Sequence, residues 1–215
     1  MSGVLGFLHT AEVHVATFDS ILREAAPDVD AIHLVAPDLL ERARRVGLDE
    51  PALVADIGAA LDDLGAQGVD VMVCTCSTIG GAAESLMAGD PDALVRIDRP
   101  MATHVVTTAR RAALVAAVES TLAPTLALFQ EERDLRGSDT EFELVALTEA
   151  WALFESGAIE DFHRAIAAGV DALGAEYDAV VLAQASMAGA RAYVARPERI
   201  VSSPIFAVEA ALELL

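Results

Sequence analysis

The chain has 215 residues, 54% of them hydrophobic, which is enough apolar material for one sizeable core or two small fused ones and too much for a disordered segment. A formal charge of −20 repels a phosphate backbone and argues against nucleic acid as a partner. All 14 basic residues are arginine, which removes Schiff-base and pyridoxal chemistry and the P-loop lysine, and the longest apolar stretch, Ala112 to Val118, is too short to cross a bilayer.

Val4 to Leu8 is the first β-rich apolar run, and no basic segment precedes it, so the start does not read as a secretory signal and a cytoplasmic protein is expected. His9 and Thr10 follow it, and a second run covers Ala31 to Val35. Ala52 to Gly65 repeats apolar residues at three- and four-residue spacing, which predicts a helix stopping at Gly65 or Gly68. Strand-like runs then cover Val69 to Cys74 and Leu94 to Ile97, and Asp98-Arg99-Pro100 breaks the pattern as a seam. Beyond it come the run Ala112 to Val118, a polar stretch from Glu131 to Thr140 that reads as a surface loop, and the run Phe142 to Ala146. Ile159 to Leu173 again has helical spacing, ended by Gly174, and Ala179 to Leu182 is another strand. The tail from Ile200 to Leu215 reads as a short strand, a Ser-Ser-Pro turn and a helix with Pro204 in its first turn, packing back on the first half. Continuous apolar runs alternating with helices are the pattern of parallel strands covered on both faces.

An internal repeat organises these elements. Residues 68 to 82, GVDVMVCTCSTIGGA, align with 176 to 190, EYDAVVLAQASMAGA, at an offset of 108 (178 − 70), so Asp70 meets Asp178, Cys76 meets Gln184 and Gly81 meets Gly189. The same offset carries Thr17-Phe18 onto Thr125-Leu126. A duplication follows: an α/β protein of two pseudo-symmetric halves, each a mostly parallel sheet flanked by helices, with a cleft between them. The halves are expected at 1–98 plus 200–215 and at 99–199. Ligands in open α/β sheets bind beyond the carboxyl ends of the strands, so Cys76 and Gln184 are expected to face that cleft.

Cys76 ends a strand just before Ser77-Thr78-Ile79-Gly80-Gly81, where a helix is expected to start with Ser77 or Thr78 as its cap. Unpaired N–H groups and the helix dipole at that point would lower the thiol pKa and hold a substrate carboxylate. A thiolate beside a carboxylate cradle suits abstraction of the α-proton or addition to an activated C=C bond. Cys74, inside the strand, reads as a small buried hydrophobe. One Cys-x-Cys with five dispersed histidines (9, 14, 33, 104, 163) is poor metal-ligand spacing, and no metal is expected. His9 and Thr10 are candidate pocket residues, as are Ser120 and Thr121 beside Glu119 at the matching place in the second half, where either hydroxyl also serves as a helix cap. His14, His33, His104 and His163 read as ordinary core or surface residues. Arg99 is suited either to reaching an anion or to bracing the halves.

Cys-Ser-Thr after a buried strand, Ile97-Asp-Arg-Pro-Met101, Glu119-Ser-Thr-Leu-Ala-Pro-Thr125 and Ser203-Pro204 together resemble the aspartate/glutamate/hydantoin racemase superfamily over nearly the whole chain. The resemblance implies two pseudo-symmetric α/β halves, no cofactor, a homodimer, and a cysteine from each half on opposite faces of a small carboxylate substrate. Cys76 matches the first cysteine. At the second the chain reads Ala183-Gln184-Ala185-Ser186, and glutamine cannot act as a base. Single-thiol chemistry seen among relatives then fits better than two-base racemisation: decarboxylation of a malonate, or cis–trans isomerisation of an unsaturated diacid with Cys76 as nucleophile. Gln184 would orient a carboxylate or carbonyl oxygen, Ala185 and Ser186 are candidate substrate-binding residues beside it, and two-base racemisation would need Ser186 or another group in place of the missing thiol. The other reading is a non-catalytic carboxylate-binding or regulatory protein that lost its second thiol.

Overall fold

A computed structural model describes residues 3–215. The chain divides into two compact units, Met1–Ile97 with Pro204–Leu215, and Asp98–Ser203. The first contains β1 (Val4–His9), α1 (Val13–Ala25), β2 (Asp30–Val35), α2 (Pro37–Val46), α3 (Pro51–Gly65), β3 (Val71–Cys74), α4 (Ser77–Leu86) and β4 (Leu94–Arg96). The second contains α5 (Arg99–Thr108), β5 (Arg111–Ala116), α6 (Leu122–Arg136), β6 (Glu141–Ala146), α7 (Trp151–Glu155), α8 (Ile159–Asp171), β7 (Ala179–Leu182) and β8 (Ile200–Ser202), after which α9 (Ser203–Leu212) returns the chain to the first unit.

Each unit holds one four-stranded sheet, ordered β2-β1-β3-β4 in the first and β6-β5-β7-β8 in the second, and every pairing is parallel. The identical order is the structural counterpart of the sequence repeat. The repeat is also visible in its fastenings. Asp70 Oδ2 accepts from Val4 N–H at 2.9 Å, and Asp178 Oδ2 accepts from Arg111 and Arg110 N–H at 3.0 and 2.8 Å, so the same carboxylate pins the start of the central strand in both sheets. The N–H bonds from Arg111 and Arg110 hold the Asp178 carboxyl below its ordinary pKa.

The strand runs form as the apolar pattern requires, because each central strand is covered on both faces. Leu8, Met72 and Cys74 pack against Leu53, Ile57, Leu61 and Leu64, the helical stripe of α3, and against Ile79 and Ala83 of α4. Ala113, Val115, Val180 and Leu182 pack against Phe162, Ile166 and Val170 of α8. The edge strand β6 exposes Glu141, Glu143 and Leu144, and its glutamates lie 3.7 and 3.5 Å from Arg111. Charges on an edge discourage pairing with another chain.

Two sequence expectations change here. Residues 200–203 belong to the second unit, because β8 pairs with β7 from Val180↔Ile200 to Leu182↔Ser202; only the tail from Pro204 lies with the first. Glu131 to Thr140 is not all loop, since α6 continues to Arg136 and ends at Gly137 in the left-handed region (φ 61°), with Ser138 N–H on the Arg133 carbonyl at 3.0 Å. The polar face that suggested a loop includes a buried charge. Glu132 accepts from Arg99 Nη1 (2.6 Å), Thr103 Oγ1 (2.7 Å) and Arg136 Nε (3.1 Å), which ties α5 to α6. Arg99 is therefore a brace within the second unit, and it also bonds Glu131 at 3.0 Å.

Burial opposes the Glu132 charge, but the Thr103 and Arg99 hydrogen bonds and the Arg99 and Arg136 charges outweigh it and hold the carboxyl below its usual range. A carboxyl depressed in the fold contributes stability above its unfolded pKa and loses it as the pH falls through the folded one. Glu132→Gln is expected to cost about 2 kcal/mol at pH 7, with the difference from the parent narrowing below pH 4, as read by urea denaturation at several pH values.

Candidate functional site

The first group of candidate residues lies at the C-terminal end of the first sheet. The β1–β3 ladder ends with Thr75 N–H on the Leu8 carbonyl at 3.0 Å, and Ile97 N–H bonds the Cys74 carbonyl at 3.1 Å. Cys76 then turns the chain in an extended conformation (φ −113°, ψ 110°) and is itself the N-cap of α4, its carbonyl accepting from Gly80 N–H at 2.9 Å. Ser77 and Thr78, expected as the cap, are instead the first two helical residues, and Cys76 makes no side-chain capping bond. The glycines at this helix start have a steric reason. A Cβ on Gly80 would stand 3.0 Å from Arg96 Cγ and one on Gly81 3.3 Å from Arg96 Nη1, so the pair leaves room for the Arg96 side chain.

Cys74 is fully buried, as its place inside the strand implies, and Cys76 is only 9% exposed, grouped with Ile79 and Ala83 at the margin of the core. The thiol is thus held at a helix start and mostly covered. Ser77 and Thr78 beside it are half-buried, and Thr10 is buried.

His9, the last residue of β1, is fully buried. Its Nδ1 is 2.9 Å from Thr75 Oγ1 and its Nε2 is 2.8 Å from His33 Nδ1; His33 Nε2 is in turn 3.1 Å from Asp19 Oδ1. Burial above all, then the neighbouring His33 and His14, push the His9 pKa down to about 3 against the pull of Asp19. Burial lowers His14 as well. Thr75, His33 and Asp19 were not expected in a site. His33 is reached through strand register, since parallel pairing sets it opposite Phe7, two residues before His9 on the same sheet face.

The second group lies at the C-terminal end of the second sheet. Gln184 adopts nearly the Cys76 backbone conformation (φ −125°, ψ 135°), but a 3₁₀ stretch, Ala185–Ala192, follows in place of the counterpart of α4. The Gln184 Oε1 accepts from Ala117 N–H at 2.7 Å and Val118 N–H at 3.1 Å, so the backbone fixes the orientation of the side-chain amide. The Ser186 carbonyl accepts from His163 Nε2 at 2.9 Å, and a Cβ on Gly189 would lie 2.3 Å from His163 Cε1, so the imidazole fills the space beside the glycine. Ser120 is exposed and Thr121 half-buried, both in the 3₁₀ turn Glu119–Thr121 ahead of α6, and Thr121, its N-cap, makes no side-chain capping bond. Among the described residues no group of three or more His, Cys, Asp or Glu is placed to hold a metal ion, and no helix is long and apolar enough to cross a membrane.

No family model and no curated protein matches the sequence. Solved structures do match. An aspartate racemase from Picrophilus torridus superposes with a TM-score of 0.73 at 13% identity, covering 99% of this chain and 94% of that one. An allantoin racemase from Klebsiella pneumoniae gives 0.62 at 20% identity, with 99% and 87% covered. The fold is that of the racemases. An arylmalonate decarboxylase shares it more distantly, with a TM-score of 0.52 at 15% identity over 100% of this chain and 92% of the other. The racemase fold thus carries more than one reaction, and the strand ends decide which chemistry is present.

His9 is neutral in the fold and takes up a proton once unfolded below the ordinary imidazole value of 6.5, so it contributes stability above that pH, and the contribution declines as the pH falls from 6.5 toward 3. The parent is expected to lose stability over this window more steeply than His9→Asn, by up to ~1.4 kcal/mol per pH unit, in denaturation curves measured from pH 7 to pH 4.

Proposed function

We propose that the protein is a cofactor-independent isomerase or lyase acting on a small carboxylic acid, with Cys76 as its thiolate base or nucleophile. The observation that carries this reading is the position of Cys76 at the junction of β3 and α4, as the N-cap of a ten-residue helix, in a fold shared with racemases and a decarboxylase. The first amides of α4 point their N–H groups and the positive end of the helix dipole toward an anion, and the Ser77 and Thr78 hydroxyls stand at the same helix start. A carboxylate held there places its α-carbon or an adjacent double bond toward the sulfur. The thiolate then either removes the α-proton or adds to the unsaturated carbon. The 9% exposure of Cys76 favours a small substrate and a site that excludes water.

A single thiol favours reactions that need one proton donor or one nucleophile. Decarboxylation of a disubstituted malonate ends with delivery of one proton to carbon, and cis–trans isomerisation of an unsaturated diacid needs one reversible adduct. Gln184 at the place of a second thiol supports a second reading, a carboxylate-binding protein without turnover, because an amide offers no second base.

Amino acids, hydantoins, disubstituted malonates and maleate form the screening panel. The expected result is turnover of one class that falls at least ~10³-fold in Cys76→Ala and is retained in Cys74→Ala, measured by product formation and by chiral chromatography. Full activity in Cys76→Ala removes the proposed role. Binding of a panel acid without turnover, unchanged in Cys76→Ser, favours the binding protein.

A further inference from the structure

The hydrogen bonds around His9 can run in two directions. Thr75 Oγ1 lies 2.9 Å from His9 Nδ1 and 3.0 Å from the Leu8 carbonyl oxygen, and its single proton serves one of them at a time. When the hydroxyl donates to His9 Nδ1, His9 Nε2–H donates to His33 Nδ1 and His33 Nε2–H donates to Asp19; both imidazoles are neutral. When the hydroxyl donates to Leu8, His9 Nδ1–H donates to Thr75, His33 Nδ1–H donates to His9 Nε2, and His33 still donates to Asp19 through Nε2–H. In that state His33 is an imidazolium beside a carboxylate. The two states differ by one proton.

We propose that Thr75, His9, His33 and Asp19 form a proton relay that takes up one proton at the Thr75 end and stores it on His33 beside Asp19. A hydronium ion gives its proton to Thr75 Oγ1 and leaves as water, as the hydroxyl's own proton passes to His9 Nδ1 and the His9 Nε2 proton passes to His33 Nδ1. Three bonds to hydrogen form, and two within the chain break together with the donor's own bond, so His33 carries the single added charge. Release runs the same steps backward.

The geometry suits transfer. The His9 and His33 rings meet edge to edge, with centroids 5.1 Å apart and planes 13° apart, which aligns the shared proton between the nitrogens. Phe7 and Phe18 wall the rings on the strand and helix sides. Exposure rises along the chain from His9 at 0% and Thr75 at 3% to the side chains of His33 at 14% and Asp19 at 39%, so the charge rests where water and a carboxylate stabilise it. The titratable groups facing His9 are His14 and Asp19 from α1 and His33 from β2, and of these only Asp19 favours added positive charge. A His9 pushed down to about 3 passes a proton on without holding the charge itself.

The relay stands on this geometry; its use in turnover rests on the reading of Cys76 above. His9, His33 and Asp19 are then positioning residues, acting through Thr75. The test follows the imidazole nitrogens of the full-length ¹⁵N-labelled chain from pH 8 to pH 5 by NMR. As His33 gains its second proton, His9 is expected to change from the Nε2–H to the Nδ1–H tautomer while staying neutral. In Thr75→Val the His9 change is lost. A His9 tautomer that stays fixed while His33 titrates overturns the relay, as does a His9 that becomes an imidazolium in this range. On a substrate from the panel, Thr75→Val is expected to shift the acid limb of the kcat profile and leave KM unchanged. An NMR transition in a chain that turns over no panel compound leaves the relay standing and removes the catalytic reading.

Discussion

The parallel pairing of β1 with β3 sets the position of every candidate group in the first unit. Its last bond, from Thr75 N–H to the Leu8 carbonyl, marks the point at which the chain leaves the sheet, so Cys76 is the first residue free to turn into α4. His9 ends the neighbouring strand one residue past that bond, and the pairing of β1 with β2 brings His33 alongside. A shift of one residue in either ladder would turn His9 to the opposite face of the sheet and away from Thr75 and His33. The apolar side chains of α3 and α4 that pack on Leu8 and Cys74 hold that register, and through it the placement of His9, Thr75 and Cys76.

Much of this architecture can be read in the sequence because central parallel strands have no polar face to confuse the pattern. Continuous runs such as Val71 to Cys74 and Ala112 to Ala116 announce themselves, and the repeat joining Asp70 to Asp178 reveals the two units. The end of α6 was hidden by its composition, because Glu131 to Arg136 is polar enough for a loop until Arg99 and Thr103 are seen to satisfy Glu132. The cap of α4 was displaced by one residue because Ser and Thr are the statistical N-caps, whereas here the residue that leaves the strand is the cysteine. His33 and Asp19 escaped notice for a different reason: neither lies near His9 in sequence, and only strand register and the docking of α1 bring them to it.

The duplication has kept one end of each sheet alike and let the other diverge. At the amino ends of the strands Asp70 and Asp178 make equivalent bonds to the first amides of the central strands. At the carboxyl ends a thiol capping an α-helix in one unit corresponds to an amide heading a 3₁₀ stretch in the other. His9 is likewise matched by Ala116, since each accepts at its carbonyl from the residue that follows the edge strand, Ala36 or Leu147. The thiol and the His9–His33 pair thus lie at the carboxyl ends of the first sheet, whereas the matching positions of the second hold Gln184 and Ala116.

The Gln184 side chain adds a consequence for selectivity. Its oxygen sits on the Ala117 and Val118 amides by virtue of the covalent chain, so any free acid seeking those amides competes with a tethered rival. Short flexible tethers give effective concentrations on the order of millimolar, so a free acid of the same intrinsic affinity must exceed that level to displace it. Two amides of the second unit are thereby satisfied from within the chain, with no ligand needed to pair them.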